Sequence, residues 1–172
     1  MVCIVFAGIV VVNLNAPRCS PCTGYVVHDL SPFHALKVLV LGIKPRVELV
    51  PYYSGEPLED PHEAIEIATA TIRTLADSAS LDYIELRFWK CQSNFPNLKK
   101  VFNQAGDQVA VLESILLHCV EAGRVSHVRL RLYGGDYANL EFSPTALFPS
   151  SDYASTLFPE LFEHGVLYAY DG

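Results

Sequence analysis

The sequence of 172 residues has the length of one ordinary domain and shows no internal repeat or low-complexity linker, so a single globular domain is expected over residues 1–172. Hydrophobic residues make up 51% and charged residues 18%, which excludes a disordered chain. Twelve Lys and Arg against nineteen Asp and Glu give a net charge of −7, which argues against nucleic acid as a partner. The same charge favours a basic partner protein, and the surplus of apolar residues favours an interface with that partner or within a homodimer.

The apolar run from Val2 to Val12 has no basic residues before it and is too short to span a membrane. It is therefore expected to be a buried strand or strand pair that bends at Gly8, with no membrane contact. The cysteines are odd in number and widely spread, which is a poor disulfide framework and favours a reducing, cytoplasmic setting. They are Cys3, Cys19, Cys22, Cys91 and Cys119.

The middle of the chain changes from strand to helix and back to strand. Residues 35–53 are rich in β-branched side chains and are expected to form two strands divided around Gly42 and Pro45. A helix is expected to begin at Asp60 as N-cap with Pro61 in its first position. Residues 81–89 then alternate between apolar and polar side chains, as a strand does. The helix should bury a stripe formed by Ile65, Ala68, Ile72, Leu75 and Ala79.

A second helix is expected from Asp107 to Gly123, with Leu112, Ile115, Leu116 and Cys119 facing inward. The alternation in residues 125–133 predicts a strand, and Gly134-Gly135-Asp136 predicts a hairpin turn into a partner strand near Leu140 and Phe142. A short helix from Ser151 to His164, restarted at Pro159, precedes a last strand at "VLYAY". The order predicts an α/β or α+β domain with a mixed, partly parallel sheet, two main helices, a C-terminal hairpin and a short C-terminal helix.

The segment "RCSPC" superficially resembles a thioredoxin-type redox motif in Cys19 and Cys22. Gly24 and Pro32 interrupt the residues that follow, so no helix is expected there to activate a thiol. A zinc site is the other chemistry that this segment offers, because cysteine and histidine are the ligands that zinc prefers. Its ligands would be Cys19, Cys22, His28 and His34. The alternative hypothesis for the chain is a metal- or thiol-dependent enzyme, or a zinc-stabilised domain, centred on this segment with Asp29 beside it. Reduced cysteines in a connecting loop remain the simplest interpretation.

Other polar residues fit structural roles. His118 and Cys119 are adjacent on a helix and point about 100° apart, so they cannot act as a nucleophile and its base. Arg87, Arg129 and Arg131 lie on the polar faces of predicted strands, where they are expected to pair with Glu85 across neighbouring strands. A phosphate-binding patch is the alternative for these arginines. No residue is assigned a catalytic role, and no cofactor is expected apart from the zinc considered above.

The last quarter of the chain is rich in aromatic residues. Tyrosine and phenylalanine near turns are typical anchors of protein interfaces, although core packing accounts for the same pattern. The leading hypothesis is therefore a non-enzymatic, acidic protein-binding module, comparable to inhibitor, antitoxin or immunity proteins, that binds a basic protein. The expected partner-binding residues are Tyr133, Tyr137, Phe148, Tyr153 and Phe158.

Overall fold

The computed structural model describes residues 3–6, 8–14, 27–43, 46–48, 58–60, 62–89, 106–133 and 150–171. These form eight strands, which are β1 (Cys3–Phe6), β2 (Ile9–Leu14), β3 (Val38–Ile43), β4 (Arg46–Glu48), β5 (Leu58–Asp60), β6 (Leu81–Trp89), β7 (Val125–Tyr133) and β8 (Leu167–Asp171). The described residues also form four helices, which are α1 (His62–Arg73), α2 (Gly106–Glu121), α3 (Ser150–Leu157) and α4 (Pro159–Glu163).

Six strands form one sheet in the order β1-β2-β3-β6-β7-β8. The strands from β2 to β8 in this sheet all run in the same direction, and β1 pairs antiparallel with β2 at the edge. Strands β4 and β5 form a separate antiparallel pair. The predicted mixed, partly parallel sheet of an α/β domain is confirmed.

The described helices lie on one side of the six-stranded sheet. Helix α1 packs on β3 and on α2, α2 packs on α4, and α3 and α4 pack on β8. Ile84, Leu86 and Phe88 point toward this helical layer and are fully buried, because alternate side chains of a strand share one face. The ring of Phe88 lies 6.5 Å from that of Phe158, at the junction of α3 and α4. One core therefore joins this face of the sheet to the helices.

The two long helices match their predictions closely. Helix α1 begins at His62, one residue after the predicted first position, and Asp60 is the last residue of β5. Its predicted stripe is buried, although Leu75 and Ala79 come after the end of the helix at Arg73. Helix α2 ends before Gly123, whose φ of 69° gives the left-handed conformation that terminates a helix. The predicted helix and last strand near the C-terminus are present as α3, α4 and β8.

The predicted C-terminal hairpin is wrong for the main part of β7. Over Val128–Leu132 this strand pairs with β6 on one side and with β8 on the other, both in parallel. No edge of that stretch is left for an antiparallel partner. The predicted turn and the partner strand near Leu140 and Phe142 lie outside the described residues.

Candidate functional site

The face of the sheet opposite the helices carries a group of polar and aromatic side chains on its three last strands. The register places Tyr83 beside His127, and Glu85 beside Arg129. Because alternate residues of a strand share one face, the sequence patterns of β6, β7 and β8 project these side chains together. We call this group the polar sheet face; it consists of Tyr83, Glu85, Arg87, His127, Arg129, Arg131 and Tyr168.

Glu85 is the buried carboxylate of the polar sheet face, with only 6% of the residue exposed. The Nε of Arg87 donates a hydrogen bond to its Oε1 at 2.5 Å. The Nη1 of Arg131, on the neighbouring strand, lies 3.9 Å from the same oxygen. A buried carboxylate needs such partners because burial removes its hydration. The predicted pairing across neighbouring strands is therefore confirmed for Arg131, whereas Arg87 pairs with Glu85 within the same strand.

His127 is enclosed by aromatic and cationic neighbours. Its ring stacks on Tyr83 with centroids 5.5 Å apart and meets the ring of Tyr168 edge-on at 5.1 Å. Arg129 donates from Nε to Nε2 of His127 at 3.1 Å, and its guanidinium carbon lies 3.7 Å from the centre of the Tyr83 ring. Desolvation and the positive charge of Arg129 lower the pKa of His127, and Asp82 opposes this shift in part. The imidazole is therefore neutral near pH 7.

Among the described side chains of the polar sheet face, positive charges outnumber negative ones, whereas the chain as a whole is acidic. This face holds three guanidinium groups against one carboxylate, whereas the net charge of the chain is −7. The described helices contain a single arginine, Arg73, and eight acidic residues. These acids are Glu63, Glu66, Asp107, Glu113, Glu121, Asp152, Glu160 and Glu163. The described helices therefore carry a net negative charge, which the described side chains of the polar sheet face do not share.

Exposure on the polar sheet face increases toward β8. Tyr168 on that edge strand is 49% exposed, and the Arg131 side chain is 37% exposed. Val40, which lies on the same face in β3, is buried. The accessible part of the face is therefore centred on β7 and β8, where a ligand would meet Tyr168 and Arg131 first.

The aromatic residues expected to bind a partner are not all accessible. Phe158 is 1% exposed and packs against Phe88, so the expectation that it anchors a partner is corrected: its ring completes the core between the sheet and α4. Tyr133 is the last residue of β7 and Tyr153 lies in α3, but the environment of their side chains is not described. Tyr137 and Phe148 lie outside the described residues. The role of these four residues stays a prediction.

The zinc hypothesis is likewise untested, because Cys19 and Cys22 lie outside the described residues. His34 is exposed. His28 is half-buried, and its Nε2 is buried without a hydrogen-bond partner. Among the described residues, no group of three or more His, Cys, Asp and Glu is placed to hold a metal ion. The enzyme hypothesis centred on the two cysteines stays a prediction for the same reason.

His118 and Cys119 point in different directions, as their spacing predicts. His118 is exposed, whereas Cys119 is buried in the core. Burial raises the pKa of the Cys119 thiol, and the positive charge of Arg124 offsets only part of this effect. The thiol therefore stays protonated and is a poor nucleophile.

Comparison of the chain with protein-family models, with curated proteins and with solved structures finds no match. Within the described part of the chain, no helix has both the length and the apolar character needed to cross a membrane.

Sequence reasoning identified the arginines and Glu85 but missed the aromatic half of the polar sheet face. Tyr83, His127 and Tyr168 are far apart in sequence, and only the strand register brings their rings together. Tyr83 and His127 could have been found from the sequence, because each lies two residues before a member of the charged group and alternate residues of a strand share one face. Tyr168 could not, because its place beside this group depends on the pairing of β8 with β7.

Proposed function

We propose that this chain is a non-enzymatic protein-binding module, comparable in kind to inhibitor, antitoxin and immunity proteins, and that its partner docks on the polar sheet face. The observation that carries the proposal is the set of side chains in adjacent rows of β6, β7 and β8: three arginines, two tyrosines and a histidine around one buried carboxylate. Arginine and tyrosine are the residue types that most often supply the binding energy of protein interfaces.

The position of this face in the fold supports a docking role. All the described helices pack on the other side of the sheet, and Val40 and Glu85 are buried on this side, so its accessible surface lies toward the β8 end. Tyr168 and Arg131 present accessible surface at the β8 end, while Tyr83, His127 and Arg129 hold one another in place beneath a ligand. Pre-organised side chains lose little conformational entropy when a partner binds.

The charges of the polar sheet face favour a partner segment that presents carboxylates. Arginine binds carboxylates through paired hydrogen bonds, and tyrosine and histidine add further donors. The sequence-based expectation of a basic partner rests on the net charge of the chain, which the acidic helices carry and this face does not. The net charge of −7 opposes every polyanion, so an acidic segment must gain its affinity locally from the arginines; a nucleic acid, which carries a negative charge at every nucleotide along its whole length, is disfavoured more strongly.

A defined probe tests this proposal. We expect a hexaglutamate peptide to bind the purified chain in isothermal titration calorimetry, and a hexalysine peptide and a single-stranded oligonucleotide not to bind. Tyr168→Ala and Arg131→Gln should each weaken hexaglutamate binding about fivefold or more, as loss of an interface anchor does. Phe162→Ala is the matched control, because Phe162 is a similarly exposed aromatic residue, at 43%, on helix α4.

Two results would overturn the proposal. One is hexaglutamate binding that Phe162→Ala weakens and Tyr168→Ala leaves unchanged, which would place the docking surface on the helices. The other is binding of hexalysine or of the oligonucleotide in place of hexaglutamate, which would assign the chain a different class of partner.

A further inference from the structure

We infer that docking of an acidic segment on the polar sheet face is coupled to proton uptake by His127, so that the face binds more tightly as the pH falls below neutrality. This inference rests on the proposed function, because it describes the regulation of the same site. It is carried by the hydrogen bond between Arg129 and His127 and by the rings packed on either side of the imidazole.

The hydrogen bond fixes the protonation state of His127 in the free protein. Nε2 accepts from the Nε of Arg129, so Nε2 carries no proton and the imidazole is neutral with its proton on Nδ1. Protonation of Nε2 would turn this acceptor into a donor facing another donor. The contact between Arg129 and His127 therefore exists only while His127 is neutral.

The charges around His127 act in the same direction. Desolvation and the charge of the hydrogen-bonded Arg129 lower the pKa of His127, against a smaller opposite effect of Asp82. The carboxylate of Glu85 lies in the same row of the sheet as Arg129, and the row after it contains the cations Arg87 and Arg131. Among the side chains of β6, β7 and β8 that the structure describes, the other charged and titratable groups are Asp82, Tyr83, Glu85, Arg87, Arg129, Arg131 and Tyr168.

A carboxylate bound beside Arg129 would reverse this balance. It would offset the positive charge that disfavours the imidazolium, and protonated His127 would become a second donor toward it. Protonation would also end the hydrogen bond that the Nε of Arg129 donates to His127. Since coupling between two binding events is reciprocal, a ligand that favours protonation of His127 binds more tightly at lower pH.

Calorimetry at two pH values tests the coupling. We expect the chain to bind hexaglutamate about fivefold more tightly at pH 5.8 than at pH 7.5. This factor is at the lower end of the changes in affinity that one binding event usually causes in another. His127→Gln can still accept from Arg129 but cannot take up a proton near neutrality, so its ratio of affinities at the two pH values should be close to one. His118→Gln, on the exposed side of α2, is the control and should keep the ratio of the original chain.

A titration of the His127 ring followed by NMR, with and without hexaglutamate, gives an independent readout. The inference expects the ring to titrate at a higher pH in the complex than in the free protein. Binding that is independent of pH but weakened by Tyr168→Ala would overturn the coupling and leave the docking proposal standing. Absence of hexaglutamate binding at both pH values would overturn both.

Discussion

The carboxylate of Glu113, in the middle of α2, accepts a hydrogen bond from the backbone N–H of Leu161 in α4 at 3.0 Å. Helix α4 begins at Pro159, and Phe158 before it provides no side-chain cap. Leu161 is the third residue of that helix, where the N–H lacks a partner within the helix. Glu113 therefore supplies from a neighbouring helix the acceptor that a capping side chain would normally supply, and only 5% of the residue is exposed.

We predict that Glu113→Ala lowers the free energy of unfolding by about 1–3 kcal/mol, because it leaves a buried N–H without an acceptor. Glu113→Gln retains an acceptor oxygen and should cost much less. The comparison is made by urea denaturation at pH 7, with Glu121→Gln as the control because Glu121 is exposed on the same helix. Equal losses for the Ala and Gln variants would show that the hydrogen bond is not the source of the stability.

The same residue predicts a pH dependence of stability. Desolvation raises the pKa of Glu113 in the folded chain, against the effect of the backbone hydrogen bonds, while nearby Glu160 and Glu163 add to the rise. The folded state therefore binds the proton of Glu113 more tightly than the unfolded state does. This difference adds to the free energy of unfolding at low pH, and the contribution is lost as the pH rises from the pKa of the unfolded chain to the higher pKa of the folded chain. Glu113→Gln should remove this component, and a denaturation series across that range measures it.

The packing of Phe158 on Phe88 predicts that Phe158 contributes strongly to the stability of the fold, whereas the exposed Phe162 contributes little. Phe158→Ala should destabilise the fold by about 3–5 kcal/mol, since it removes a fully buried aromatic ring from the core. Phe162→Ala should change stability by less than about 0.5 kcal/mol, because Phe162 is largely exposed. Thermal denaturation of the two variants checks this, with Phe158→Leu as a milder variant if the alanine variant does not fold. A small effect of Phe158→Leu and of Phe158→Ala alike would contradict the core assignment.

Thr74 connects the segment before β3 to the end of α1. Its hydroxyl accepts from the backbone N–H of Leu30 at 2.8 Å and lies within donating distance of the carbonyl oxygens of His28 and Thr71. We predict that Thr74→Val costs about 1–3 kcal/mol, because it has nearly the same shape but leaves the N–H of Leu30 without an acceptor. Thr74→Ser keeps the hydroxyl and should cost less than half as much in the same urea titration. Faster amide hydrogen exchange at Leu30 in Thr74→Val alone would assign the loss to this contact.

Local patterns predicted the long helices and the alternation of β6 and β7, because helix stripes and strand faces depend on residues close in sequence. The prediction of a hairpin after β7 failed because the neighbours of a strand depend on residues far away in sequence. Gly134-Gly135-Asp136 is a local turn signal, whereas the neighbours of β7 are decided by pairing with β8, which follows about forty residues later in the register of Val128 with Leu167. The residues close to β7 in sequence do not determine which strand pairs with its free edge.

The residues of the candidate site and of the core likewise fall into those that local patterns predicted and those whose roles depend on distant contacts. Glu85 and the arginines were found because their alternation marks one face of a strand, and the opposite charges explain their proximity. Phe158 was assigned to a surface because an aromatic ring suits a core and an interface equally well, and only its contact with Phe88 decides between them. The buried role of Glu113 had no local signal at all, since its partner belongs to another helix.

Gly8 gives the last prediction, at the turn between β1 and β2. Its φ of +82° lies in the left-handed region, and a Cβ there would stand 3.2 Å from the carbonyl oxygen of Ala35. The carbonyl of Gly8 also accepts from the backbone N–H groups of Lys37 and Val38, which ties this turn to the start of β3. We expect Gly8→Ala to cost about 1–2 kcal/mol, because an L side chain is strained in this conformation.

Gly106→Ala is the matched control, since Gly106 begins α2 and a Cβ there would have no atom within 4 Å. It should leave stability unchanged or raise it by up to about 1 kcal/mol, as alanine favours a helix over glycine. Urea denaturation of both variants tests the contrast. If Gly8→Ala proved as stable as Gly106→Ala, the first hairpin would not depend on a left-handed residue at position 8, and the contact with Ala35 would have to be looser than the structure places it.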